Sequence, residues 1–161
     1  MTEAAAARVH QLLAARGETV AVAESLTGGL LAATLVDVAG ASATFRGGLV
    51  VYATDLKATL AGVSPELLAA RGPVDPDVAR ELAEGARIRC GADWGVATTG
   101  VAGSDPQDGQ APGTVWVALA GPAGQRTSRL TLDGSRAQIR QATVGAALAL
   151  LTAALEPESP G

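Results

Sequence analysis

Apolar residues along this chain fall into two rhythms, and the places where one gives way to the other divide it into elements. Over residues 4–16 the apolar positions Val9, Leu12 and Leu13 recur at helical spacing in an Ala-rich segment, and Gly17 follows where a helix C-cap belongs. Residues 19–23 form a short apolar run of the kind that makes a buried strand. Helical spacing returns over 30–38 until Ala39-Gly40-Ala41-Ser42 breaks it. Residues 48–52, with adjacent β-branched side chains, predict a second strand. A short helix is predicted over 55–61, capped by Thr54 or Asp55, and another opens at Ser64-Pro65-Glu66 with proline in its first turn. Asp75-Pro76-Asp77 repeats that arrangement ahead of a helix over 78–89, whose Val78, Leu82, Ala86 and Ile88 are expected to face the core. Residues 94–98 predict a third strand and 99–113 a glycine-rich loop. Residues 114–120 and 127–132 predict two strands joined as a hairpin through Gly121-Pro122-Ala123-Gly124. A long Ala/Leu helix over 135–155 and a frayed tail over 156–161 complete the chain.

Strands alternating with helices, plus one hairpin, imply an α/β fold: a mostly parallel sheet covered on both faces, with one antiparallel strand. Ligand sites in such sheets lie at the carboxyl ends of the strands. Ser25, Tyr52 and the Thr99-Gly100 corner all fall at such ends.

Composition narrows the functional classes. A chain of 161 residues, 48% hydrophobic, fits one domain with a real core. Twelve basic against sixteen acidic side chains, with one Phe, one Tyr and two Trp, give neither the basic footprint nor the stacking platforms of a nucleic-acid binder. No segment reaches the ~18 apolar residues of a membrane span. The first seventeen residues carry Glu3, Arg8 and Arg16 instead of a signal-peptide core, so a cytoplasmic location is expected. An Ala/Leu-rich chain with exposed helices is also expected to form a homo-oligomer. Cys90, the sole cysteine, excludes an internal disulfide and is expected to be a small buried residue near a helix end. His10, the sole histidine, lacks the partners of a zinc site and is read as an exposed helix position, so no metal is expected.

The candidate chemistry begins at Ala23-Glu24-Ser25-Leu26-Thr27-Gly28-Gly29, where a strand turns through glycines into a helix. A serine there sits near free backbone N–H groups and the positive end of a helix dipole, so Ser25 is a candidate nucleophile. The alternative is a plain turn in which Ser25 or Thr27 caps the helix. With histidine scarce, the base must be something else. Lys57, the only lysine, follows Tyr52 by five residues and can share its cleft, provided burial lowers its pKa; a solvated surface lysine is the alternative. Tyr52 is a candidate proton relay or a packing residue, and the N–H groups of Thr27 and Gly28, beside Gly29, are candidate oxyanion donors. Thr99, Gly100 and Gly103 form a turn of small residues that lets backbone approach an anionic group, although it matches neither a P-loop nor a dinucleotide fingerprint. Asp105 and Asp108 read as turn formers or, alternatively, Mg²⁺ ligands. Arg136 and Arg140, one turn apart, are candidate phosphate anchors or a solvated helix face.

Taken together, Ala23 to Gly29, Gly47-Gly48 to Tyr52 and Lys57, Gly62-Val63, Gly100-Val101-Ala102-Gly103, Pro112-Gly113-Thr114-Val115 and Gly134-Ser135-Arg136 fall in an order and spacing that resembles the CinA C-terminal domain family over roughly residues 9–155. The resemblance implies a three-layer α/β/α sandwich with a mixed sheet of about five strands. It also implies an amidase that converts nicotinamide mononucleotide to nicotinate mononucleotide and ammonia, with Ser25 as nucleophile, Tyr52 and Lys57 as its partners, and no metal or organic cofactor. Many members carry this domain after a molybdopterin-binding-like domain; this chain is expected to be the stand-alone form. Two departures stand out. Ala53-Thr54 replaces the family's usual Ser-Asn, and the 104–111 loop is about one residue shorter and lacks a lysine. A non-catalytic nucleotide-binding module, or an amidase for another carboxamide, are the alternatives those departures leave.

Overall fold

The computed structural model describes residues 2–158. In chain order it contains α1 (Thr2–Arg16), β1 (Val20–Glu24), α2 (Leu30–Val36), a 3-10 turn (Ala41–Ala43), β2 (Phe45–Val50), α3 (Thr54–Ala61), α4 (Pro65–Arg71) and α5 (Pro76–Arg89). β3 (Trp94–Gly100), β4 (Thr114–Gly121), β5 (Gly124–Thr131) and α6 (Arg136–Leu155) follow. The strands form one sheet in the order β2-β1-β3-β4-β5. β1 pairs in parallel with both β2 and β3, β4 runs antiparallel to β3, and β5 reverses again against β4. One strand of the five therefore runs against the others, as the alternation of elements predicts.

The fold is a three-layer α/β/α sandwich, and the Val20-Ala21-Val22-Ala23 run of β1 shows why its two faces differ. Val20 and Val22 join the larger core with Leu13 of α1, Leu31 and Leu35 of α2, and Leu148 and Leu151 of α6. Ala21 and Ala23 face the other way, toward Val78, Leu82 and Ala83 of α5. The small residues continue across the sheet: Ala23 pairs with Ala97 and Ala97 with Ala118. Removing bulk on that face lets α5 lie close to the strands. A Cβ on Gly95 would come within 1.9 Å of the Ala83 carbonyl oxygen, so the glycine is required by contact.

Several elements differ from the pattern-based expectation. β2 starts at Phe45 and ends at Val50, so Tyr52 lies beyond the strand. The Gly47-Gly48 pair sits inside it because Gly48 lies against Val22, where a Cβ would approach the valine methyl to 2.5 Å. β5 starts at Gly124, straight after a Pro122-Ala123 turn, on a polar edge strand with little apolar signal. α3 has Ala53 as its N-cap and no side-chain cap, so neither Thr54 nor Asp55 serves that role. Ile88 is 64% exposed and not part of the core. Cys90 is half-buried at the end of α5. His10 is buried, bonded to the Thr44 hydroxyl and the Leu35 carbonyl, and so ties α1 to the segment leading into β2. Of the expected tail, residues 159–161 lie outside the described residues.

Candidate active site

The carboxyl ends of β1, β2 and β3 lie side by side, which brings the residues just beyond them together. Ser25 extends the β1–β3 ladder by one step, its N–H donating to the Thr98 carbonyl at 3.1 Å. The Thr27 and Thr98 hydroxyls bond to each other at 2.8 Å. Gly28 and Gly29, at φ +58° and +103°, turn the chain into α2 through conformations open mainly to glycine.

Two charged side chains that do not touch Ser25 hold this corner in place. Glu24 is fully buried, and its two oxygens accept from the Leu31 and Ala32 N–H groups at 2.8 and 3.0 Å, capping α2 in place of the side-chain cap that Gly29 cannot supply. Its negative charge occupies the positive end of α2, so the helix dipole is spent on Glu24 and not left free for a ligand. The chain pattern contained a signal for this residue, an acid at a strand end just ahead of a helix entered through Gly28-Gly29; the Ser25 or Thr27 cap that the plain-turn alternative offers is not made. Arg140 donates from Nε to the Leu26 carbonyl at 3.0 Å and from Nη2 to the Thr27 carbonyl at 2.8 Å. It braces the corner, where the chain pattern had offered it as a phosphate anchor.

Lys57 projects from α3 and is only 1% exposed. Its Nζ lies 3.0 Å from Ser25 Oγ, 2.7 Å from the Val51 carbonyl oxygen and 3.2 Å from that of Tyr52. As an ammonium it donates to all three. Carbonyls only accept, so when the amine loses one proton its two remaining N–H bonds stay on Val51 and Tyr52. The lone pair is then left facing the Ser25 hydroxyl, which donates to it. Burial pushes the Lys57 pKa down from 10.5 to about 8, with the Asp108 carboxylate pulling partly the other way. About one molecule in ten then carries the neutral amine at pH 7.

The backbone N–H groups expected as oxyanion donors are engaged differently from the expectation. The Gly28 N–H is taken by the Ser25 carbonyl at 3.1 Å, whereas among the described residues the Leu26, Thr27 and Gly29 N–H groups have no partner. Tyr52 contributes to the lysine through its carbonyl. Its ring is 64% exposed, and its hydroxyl bonds neither Ser25 nor Lys57.

Ser25, Lys57, Tyr52, Leu26, Thr99 and Gly100 line a cavity of about 40 Å³. A single water needs roughly 10–15 Å³, so there is room for a small planar group. Thr99 is fixed by donating to the Pro73 carbonyl at 2.7 Å. Arg136 and Asp108 also reach this cavity, and Arg136 and Tyr52 continue into an adjoining hollow of about 240 Å³ lined by Gly103 and Ser104. Gly103 lies against the Arg136 guanidinium, where a Cβ would come to 3.0 Å. That guanidinium bonds no other described residue. Among the described residues no three His, Cys, Asp or Glu side chains gather as metal ligands would, and no helix is long and apolar enough to cross a membrane.

Comparison with known proteins agrees over the whole of this fold. A family model, the CinA C-terminal domain, matches residues 2–155. A CinA-like protein of Frankia casuarinae is 53% identical over 140 residues, which is 87% of this chain and 32% of the relative. One from Anaeromyxobacter dehalogenans is 49% identical over 144 residues, 89% of this chain and 35% of the relative, so the chain spans about a third of the length of the curated relatives it matches. The crystal structure of a CinA superfamily protein from Klebsiella pneumoniae superimposes with a TM-score of 0.93 at 33% identity, covering 96% of this chain and 98% of that one.

Proposed function

The chain belongs to the CinA C-terminal domain family, and from that membership and the Ser25–Lys57 contact we propose that it is an amidohydrolase whose substrate is nicotinamide mononucleotide. The observation that carries the reading is the lysine's set of three partners: two carbonyls fix its orientation and the third is a serine hydroxyl. Neutral Lys57 takes the Ser25 proton as Oγ attacks the carboxamide carbon. The unpartnered N–H groups of Leu26 and Thr27, next in the chain after the nucleophile, serve as donors to the oxygen that becomes negative. Collapse of the tetrahedral intermediate breaks the C–N bond, the Lys57 ammonium returns its proton to the departing nitrogen, and ammonia leaves an ester on Ser25. Water then attacks that ester with Lys57 again as base, releasing the carboxylate and restoring the serine.

The rest of the molecule that would carry such a carboxamide extends into the outer hollow. The unpaired Arg136 guanidinium there suits a phosphate, and the exposed Tyr52 ring at the junction offers an aromatic face. The test is ammonia release from nicotinamide mononucleotide. Release by the unaltered protein and its loss in Ser25→Ala are expected; no release, or equal release by both, rejects the reading. The loop over 104–111, which lacks the family's lysine, favours a second reading in which another carboxamide is the substrate. A panel of small amides separates the two.

A further inference from the structure

Asp108 stands in the cavity wall without a part in the hydrolytic steps above. Gln107 and Gln110 exchange backbone hydrogen bonds, N to O at 3.0 and 2.9 Å, and so close a two-residue hairpin with Asp108 and Gly109 at its tip. Both tip residues have positive φ, +50° and +76°, the geometry of a type I′ turn. Among the described residues Asp108 is the one non-glycine residue in that region of backbone space. The tip rests over Gly72, where a Cβ would meet the Asp108 Cβ at 3.8 Å, and the neighbouring Pro73 and Val74 line the same cavity. The carboxylate bonds no other described residue, although Lys57 feels its charge.

We propose that Asp108 is a specificity-determining residue that selects carboxamides carried on a cationic ring. The inference rests on the amidase reading and adds the charge of the substrate to it. The inner cavity admits little more than the reacting group, so the ring bearing that group must lie at its mouth, where Asp108 stands. Arg136 reaches both the inner cavity and the outer hollow, whereas Asp108 reaches only the inner one. Among the described residues Asp108 is the one carboxylate lining the inner cavity, beside the reacting end, and the Arg136 guanidinium continues from there into the outer hollow, which Asp105 also lines. A substrate that is positive next to its amide and negative farther out matches both. A cation beside Asp108 also offsets the carboxylate's pull on the Lys57 proton, so the substrate it selects is one that favours the free base.

The test is calorimetric binding in a Ser25→Ala background, which prevents turnover. It compares nicotinamide mononucleotide with its 1,4-dihydro form, which has the same phosphate and carboxamide but a neutral ring. The oxidised form is expected to bind about 3- to 10-fold more tightly, and adding Asp108→Asn is expected to erase the difference while leaving the reduced form unchanged. Asparagine tolerates the left-handed turn, and Asp108→Gly provides a second variant with the same expectation. Equal binding of the two forms, or an Asp108→Asn loss shared by both, overturns the proposal and leaves the Ser25–Lys57 chemistry standing, since that contact is made without Asp108. Failure of both forms to bind defeats the amidase reading and this proposal with it.

Discussion

Two segments border the cavity and are held in opposite ways. Residues 24–29 are buried apart from the glycines, with Glu24 capping α2, Arg140 bracing two carbonyls and Thr98 bonded to both Ser25 and Thr27. The hairpin over 107–110 is largely exposed and is fastened by one reciprocal pair of backbone bonds and its seat over Gly72. The amidase reading puts bond-making at the buried corner, where positions must be good to a few tenths of an ångström, and Glu24 and Arg140 hold that corner without touching the Ser25 hydroxyl. Selecting a substrate by charge needs only a charge at roughly the right place, which an exposed turn can supply.

Substitutions on the two sides should therefore differ in size and kind, beginning with the lysine that faces the corner's serine. Lys57→Met is expected to lower kcat for ammonia release by about 10²- to 10⁴-fold. It should also change how stability depends on pH. The unfolded chain keeps its lysine proton up to about pH 10.5 while the folded chain sheds it near 8, so folding releases a proton between those values and stability rises with pH across that window. The rise is expected to total about 3 kcal/mol by denaturant unfolding and to be absent in Lys57→Met, because the chain has no other lysine.

Glu24→Ala tests the corner's frame. It strands one buried and one half-buried N–H group and removes a charged cap, for an expected loss of about 2–3 kcal/mol in unfolding free energy. Arg140 and Arg136 lie one helical turn apart and separate the two kinds of role. Arg140→Ala is expected to lower kcat about tenfold with KM nearly unchanged, since it loosens the turn that carries Ser25, the proposed nucleophile. Arg136→Gln is expected to raise KM about 10-fold or more with kcat nearly unchanged. Finding the same split for both would erase the distinction between brace and anchor. The smallest effect belongs to the exposed side: Asp108→Asn removes a charge that raises the Lys57 pKa, so the rising limb of the rate profile should move to lower pH.

Legibility from the chain followed the same division. Helix starts marked at Ser64 and Asp75 were plain because a cap is a local, chemically specific device. The β2 boundary was obscured because Gly48 serves a contact with Val22, a neighbour in space that a linear pattern does not display. Ser25 and Lys57 stood out, one by its glycine turn and the other by being the sole lysine. Their separation, the role of Tyr52 through its carbonyl instead of its hydroxyl, and the diversion of Arg140 to the corner all depend on side-chain direction, which sequence spacing leaves open. The Asp108-Gly109 hairpin was written in the chain as an Asp-Gly turn, but its short flanks lack the apolar alternation that usually accompanies one.

The most direct measurement is kcat/KM for ammonia release from nicotinamide mononucleotide across pH 6 to 9, for the protein and for Ser25→Ala. If a neutral Lys57 draws the proton from Ser25, kcat/KM climbs with pH toward a plateau with its midpoint near 8, and the variant is inactive throughout. A flat profile, or release that survives the loss of the serine hydroxyl, would contradict that pairing.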